Sequence, residues 1–274
     1  MSGRLRDRVV LVTGAARGQG RAHAVRTAEE GAQLILVDTD RTIDTVAYPL
    51  GSPAELAETA ELVERLGRRA ITVTADVRDR EELRAGVDAA VAELGRLDGV
   101  VANAGIASYG RAEELTQDAW RDVLDVNLTG VWNTTSVATP HLRDTGGGSI
   151  VVTSSGAGLA GLPHGAHYAA AKHGLVGLVR TLAMELGRDR IRVNSVHPAQ
   201  VETPMIMNEA VYRLFDHDEP TRERFEAVSR RMNLLPVPWV DAVDVANAAL
   251  FLLSDEARYV TGVMLPVDAG ALTK

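Results

Sequence analysis

The chain has 274 residues, enough for one large α/β domain or two small ones, and its 46% hydrophobic and 24% charged residues are ordinary for a globular protein. A formal net charge of −8, from 29 basic against 37 acidic residues, argues against nucleic acid or an anionic membrane surface as partner. Cysteine is absent, which excludes disulfides, thiolate catalysis and cysteine-ligated metal.

The first apolar run, VVLVT from Val9, is too short and too soon broken by glycine for a signal peptide. No stretch reaches the ~18 apolar residues of a membrane span, so a cytoplasmic enzyme is the expectation. That first run reads as a strand, and TGAARGQG (Thr13 to Gly20) follows it directly and opens a helix. Such a strand-turn-helix needs glycine at the tight turn and again where backbone approaches a pyrophosphate. The helix N-terminus supplies free N–H groups and a partial positive charge. Gly14, Gly18 and Gly20, with Arg17 and Gln19 between them, are therefore candidate dinucleotide ligands. The second strand, QLILVD, ends at Asp38, placed to accept hydrogen bonds from the adenosine ribose hydroxyls. Arg17 could pair with a 2′-phosphate, but a carboxylate beside that phosphate is costly, so Asp38 predicts NAD over NADP.

Residues 39–53 interrupt the rhythm and carry Tyr48-Pro49. After them come a helical pattern from Ala54, a third strand from Ile71 closing on Asp76-Val77, and a second helical pattern from Arg80. A fourth strand closes on Asn103-Ala104-Gly105. Asp76 and Val77 are expected against the adenine, and Asn103, Ala104 and Gly105 at the sheet crevice. Strands from Ser149, Ile191 and Val263 complete seven. Continuous apolar strands alternating with amphipathic helices predict a single-domain, doubly wound Rossmann fold: an α/β protein with a seven-stranded parallel sheet and helices on both faces. A second irregular segment, 202–238, is rich in Met, Pro and charge. Its apolar residues predict helices over an apolar substrate pocket.

The stretch HYAAAKHG sets Tyr168 and Lys172 four apart, one helical turn on a shared face. A tyrosine is a poor base near neutrality, and a neighbouring cation stabilises its phenolate. Oxidising an alcohol requires such a base for the hydroxyl proton while a nicotinamide takes the hydride. Ser155, thirteen residues earlier and at the end of the fifth strand, can orient the alcohol oxygen; Ser154 is its neighbour and would face the opposite way. His164 and His167 flank the tyrosine and read as polar surface at a pocket rim. No cluster of His, Asp or Glu has metal-ligand spacing.

Taken together, TGAARGQG, ADV at Ala75, ANAG at Ala102, DVNLTG at Asp125, SIVVTSS, YAAAK and VNSVHPA at Val193 make the chain resemble the short-chain dehydrogenase/reductase family along its whole length. The resemblance selects Ser155 over Ser154. It implies a fourth catalytic member, Asn127, lying in a helix and holding a relay water through its backbone carbonyl. It also implies that Lys172 hydrogen-bonds the nicotinamide ribose, and that Tyr168 and Lys172 share in holding the cofactor. Pro198, Val201 and Thr203 match the family loop over the nicotinamide, although Ala199-Gln200 replaces the usual glycine. Asp38 and Asp76 lie 38 positions apart, a longer separation than is ordinary in the family. With GLPHGAHYAAAKHGLVGL and LPVPWVDAVDVANAALFLLSDEARYVTG, that insertion resembles the mycofactocin-coupled, carveol-dehydrogenase-like branch. The branch implies a non-exchangeable NAD reoxidised by mycofactocin, a hydrophobic or cyclic secondary alcohol as substrate, and a homotetramer. An ordinary NAD-exchanging dehydrogenase or ketone reductase, and a non-catalytic NAD sensor, are the alternative readings.

Overall fold

The strands form where apolar runs are buried on both faces, and the computed structural model, which describes residues 3–274, shows the packing. All five residues of β1 (Val9–Thr13) are buried, and β2 (Gln33–Asp38) is buried throughout its interior. They pair in parallel, Val9 opposite Gln33, and β3 (Ala70–Thr74) joins β2 at the sheet edge. On the other side of β1 lie β4 (Gly99–Ala102), β5 (Gly148–Thr153), β6 (Ile191–Pro198) and β7 (Met264–Val267). The order is β3-β2-β1-β4-β5-β6-β7, all parallel.

Alternate side chains serve opposite cores. Val9 and Leu11 pack with α3 (Arg80–Leu94), α5 (Gly130–Asp144) and α6 (Ala166–Leu186). Val10 and Val12 pack with α1 (Gly18–Glu29), α2 (Pro53–Arg65) and α9 (Ala242–Leu253). The order reverses between β1 and β4, and a crevice opens there at the strands' C-terminal ends, where such sheets bind ligands.

The two irregular segments both sit over this crevice. Pro53 belongs to α2, whose capping box is made by Ser52 and Glu55, so the insertion forms a strap over Thr39–Ser52. Within 202–238, α7 (Glu209–Phe215) and α8 (Arg222–Met232) pack around a fully buried Phe225, whose ring meets Tyr212, Phe215 and Trp239. Among the described residues no helix is long and apolar enough to cross a membrane.

Candidate active site

The crevice is a cleft open to solvent, and the β1–α1 turn forms its floor. Gly14 has φ of 67°, and a Cβ on it would come within 2.9 Å of Ala104 Cα, so the backbone here is shaped for close approach. Gly20 packs closer still, where any Cβ would collide with the Gly14 carbonyl. α1 starts without a side-chain cap and without an acidic residue in its first turn, leaving its N–H groups free for an anion. Gly18, Gln19 and Gly20 line the cleft at that point. Thr203 lies directly over Gly18, its Cγ2 3.3 Å from where a Cβ would stand.

At the adenosine end, Asp38 accepts from Ala16 N–H (2.8 Å) and Thr39 N–H (2.8 Å). Burial pushes its carboxyl above the usual range, against those two bonds and the nearby Arg17. Arg17 itself donates to the Pro49 carbonyl of the strap and lies 3.8 Å from Glu55. It also lines the cleft, so the strap and the candidate cofactor site share this side chain. Gly51 of the strap lies beside Asp38, a Cβ there falling 3.1 Å from Oδ2. Asp76 and Val77 also line the cleft. Burial alone would raise Asp76, but its side-chain and backbone bonds from Arg78 outweigh that and hold it below the ordinary range. Asn103, Ala104 and Gly105 line the β4 side; Asn103 donates to the Thr13 carbonyl (3.1 Å) and locks the two strand ends together.

The catalytic candidates converge at the far end. Tyr168 and Lys172 occupy the first two turns of α6 and line the cleft, the Lys172 Nζ 5.6 Å from the phenol ring centre. Lys172 is buried, donates to the Thr153 carbonyl (2.8 Å), and is lowered by desolvation to about 8. Ser154 donates to the Lys172 main-chain carbonyl (3.2 Å), whereas Ser155 Oγ accepts from Ala157 N–H (3.1 Å) and faces the Tyr168 phenol. The two adjacent serines therefore face different partners, as strand alternation requires. Burial pushes the Tyr168 phenol up, and Ser155 works against it.

Asn127 is fully buried and lies in a π-helical turn, Asp125–Thr129, between α4 (Gln117–Leu124) and α5. The Gly130 N–H reaches back to the Asp125 carbonyl, a widened turn of the kind that recurs at functional sites. The Asn127 side chain accepts from Ile106 N–H and donates to the Ile106 carbonyl, both at 2.8 Å, fixing the loop after β4. Asn127, Ser155, Pro198 and Val201 flank the cleft and do not line it. The loop carrying Pro198 and Val201 is pinned where the family has glycine: Ala199 N–H donates to Val267, and Val240 N–H to Gln200.

Several contacts at the site are not written in the sequence pattern. Tyr48 lines the cleft from the strap and its hydroxyl accepts the Ala107 N–H (3.0 Å). Thr45 donates to Asp122 of α4 (2.7 Å), and Ile43, Val46 and Leu50 pack with Ile106 and Val126, so the strap is anchored across the cleft. An aromatic hydroxyl inside an irregular insertion was the available signal. His167 is not rim surface: it is fully buried, with Nε2 2.8 Å from Ser108 Oγ. His197, also fully buried, bridges Ser195 and Ser155.

The whole-chain comparison decides the family. A family described as enoyl-(acyl carrier protein) reductase matches residues 14–272, with the glycine turn, Ser155, Tyr168 and Lys172 inside the match. The chain belongs to the short-chain dehydrogenase/reductase family. Within it, the chain is 57% identical to (−)-trans-carveol dehydrogenase of Rhodococcus erythropolis over 99% of each chain. Levodione reductase of Leifsonia aquatica is 36% identical over 97% of this chain and 95% of its own. The crystal structure of carveol dehydrogenase from Mycobacterium avium in complex with NAD superposes with a TM-score of 0.98 at 52% identity, covering 99% of this chain and all of that one.

Proposed function

We propose that this protein oxidises a secondary, hydrophobic, cyclic alcohol of terpenoid type to the ketone, with NAD held beneath the Thr39–Ser52 strap and reoxidised in place by mycofactocin. The observation that carries the reading is Tyr168 and buried Lys172 on one face of α6, lining a cleft that has Asp38 at its other end, with Ser155 flanking the phenol. The names of the Rhodococcus and Mycobacterium avium relatives support a carveol-like substrate and NAD. The fit to a dinucleotide rests on this chain's own features. They are the uncapped α1 N-terminus, the Gly14 cradle, and the buried Thr153 hydroxyl, which has no hydrogen-bond partner among the described residues.

Gly14, Gly18, Gln19 and Gly20 would hold the pyrophosphate and Asp38 the adenosine ribose, with Asp76 and Val77 toward the adenine. Asn103, Ala104 and Gly105 would floor the crevice. Lys172, Tyr168, Pro198, Val201 and Thr203 would surround the nicotinamide end. NAD held there would supply the hydride acceptor and a cationic ring that favours the phenolate. Ser155 donates to the substrate oxygen and orients it, Tyr168 removes the hydroxyl proton, and Lys172 opposes the charge that then develops on the phenol. Asn127 keeps the loop after β4 in place beside Lys172; a water on its main-chain carbonyl would complete the proton exit. We place the enzyme in the cytoplasm as a homotetramer, a reading supported by exposed Trp132 on α5 and Met184 on α6.

Purified protein separates the alternatives. We expect NAD to survive desalting, and (−)-trans-carveol to be oxidised with an artificial electron acceptor but without accumulation of free NADH. Free NADH release would make it an ordinary NAD-exchanging dehydrogenase. Bound NAD with no hydride transfer from any alcohol would make it a sensor. The strap gives a second test: Tyr48→Phe removes the acceptor for Ala107 N–H and should speed NAD release about tenfold with little change in oxidation rate. NAD retained over timed desalting measures this, and an unchanged release rate would remove Tyr48 from the clasp.

A further inference from the structure

The main-chain ladder between β5 and β6 ends just short of the reacting residues. Its last bond runs from Ser154 N–H to the Val196 carbonyl (2.9 Å). Pro198 has no N–H with which to continue it. Ser155 therefore lies beyond the sheet's own hydrogen bonding, and a short turn, Gly156–Gly158, begins immediately after it. The following turn holds one side of it, Ala157 N–H donating to Ser155 Oγ (3.1 Å), and the side toward β6 needs a tether of its own.

His197 fills that place. Its Nδ1 is 2.8 Å from the Ser155 carbonyl and its Nε2 is 2.8 Å from Ser195 Oγ. A carbonyl only accepts, so Nδ1 carries the proton; Nε2 of the neutral ring then accepts from the Ser195 hydroxyl. Both ring nitrogens are satisfied in one orientation, with the imidazole fully buried. The Gly158 N–H also donates to the Ser155 carbonyl (2.9 Å), so that oxygen is held from two directions. Burial holds His197 below the ordinary imidazole range. The Ser155 bond works the other way, and the nearby Lys172 and His173 of α6 add to the lowering. The neutral, singly oriented tautomer is the one this environment selects.

We propose that His197 is a positioning residue for alcohol oxidation, its Nδ1–H fixing the Ser155 main chain so that the Ser155 hydroxyl meets the Tyr168 phenol. The inference rests on the reading of Ser155 and Tyr168 as the oxidising pair. The test compares His197→Asn, whose amide N–H can replace Nδ1–H, with His197→Leu, which fills the space without a donor. The assay uses NAD-loaded protein, (−)-trans-carveol and an artificial acceptor. His197→Leu should lose at least about tenfold in kcat with KM and NAD content within about twofold, while His197→Asn stays within about threefold of the parent.

A crystal structure of His197→Leu should show Ser155 Oγ moved out of hydrogen-bond reach of the Tyr168 hydroxyl. In the parent, ¹⁵N-histidine NMR should report a neutral ring protonated at Nδ1. If His197→Leu does not fold, Ser195→Ala, which frees the far side of the ring, should lower kcat at least about threefold at unchanged NAD content. Equal losses in the Asn and Leu variants, no loss in either, an Nε2-protonated ring, or an unmoved Ser155 would overturn the proposal. A Tyr168→Phe control distinguishes the failures. If it is inactive while His197→Leu is fully active, only the positioning role falls; if it is active, the reading of the site falls.

Discussion

Replacing Tyr168 by Phe should lower kcat for alcohol oxidation about 10³-fold while leaving the NAD content of the purified protein unchanged. Phe keeps the ring that lines the cleft and removes only the hydroxyl that Ser155 faces. The loss should fall on kcat because the hydroxyl acts when the proton moves and contributes little to the ground-state complex. The same variant should lose a feature of the pH profile. Burial holds Tyr168 above the ordinary phenol range and brings Lys172 down to about 8, so both groups titrate on the alkaline side of neutrality. Oxidation needs the deprotonated base, so the parent rate should rise with pH through that range, and the residual rate of the Phe variant should not. Stopped-flow hydride transfer from (−)-trans-carveol across about pH 6 to 10 measures both effects. A Phe variant within about threefold of the parent would end the general-base assignment.

What the sequence made legible follows from burial. A parallel sheet covered on both faces writes its strands as near-continuous apolar runs, and VVLVT, QLILVD and GSIVVT could hardly be read otherwise. The glycine turn and the Tyr168–Lys172 spacing are likewise local, because residues a few positions apart meet on one turn or helix face. The tethers that complete the site are not local. Thr45 to Asp122, Tyr48 to Ala107 and His197 to Ser155 join residues 77, 59 and 42 positions apart, and no periodicity records such pairs. DVNLTG reads as helix in sequence, yet it folds as a π turn between two α-helices. His167 shows the reverse difficulty. A polar residue next to a catalytic tyrosine looks like pocket rim until Ser108, from a different loop, is found closing over it.

A second histidine governs acid stability. His23 lies on the buried face of α1, fully buried, and neither ring nitrogen has a hydrogen-bond partner among the described residues. Desolvation lowers it from 6.5 to about 4. The unfolded chain therefore takes up a proton near pH 6.5 that the folded protein refuses until about pH 4. Stability from this group is intact above the unfolded value and drains away as pH falls between the two. The loss amounts to about 2 kcal/mol by about pH 5 and about 3 kcal/mol by about pH 4. That is a large share of the ~5–15 kcal/mol that separates folded from unfolded domains. Leu is close in volume and cannot protonate, so His23→Leu should resist acid better than the parent by that amount. Denaturant midpoints at about pH 7.5 and about pH 5 isolate the effect, since every other titrating group is common to the two proteins. If both proteins lose the same stability between those conditions, His23 must find a partner for its proton in the fold, and the buried face of α1 would have to be more polar than its sequence of Gly20, His23, Ala24, Thr27 and Ala28 allows.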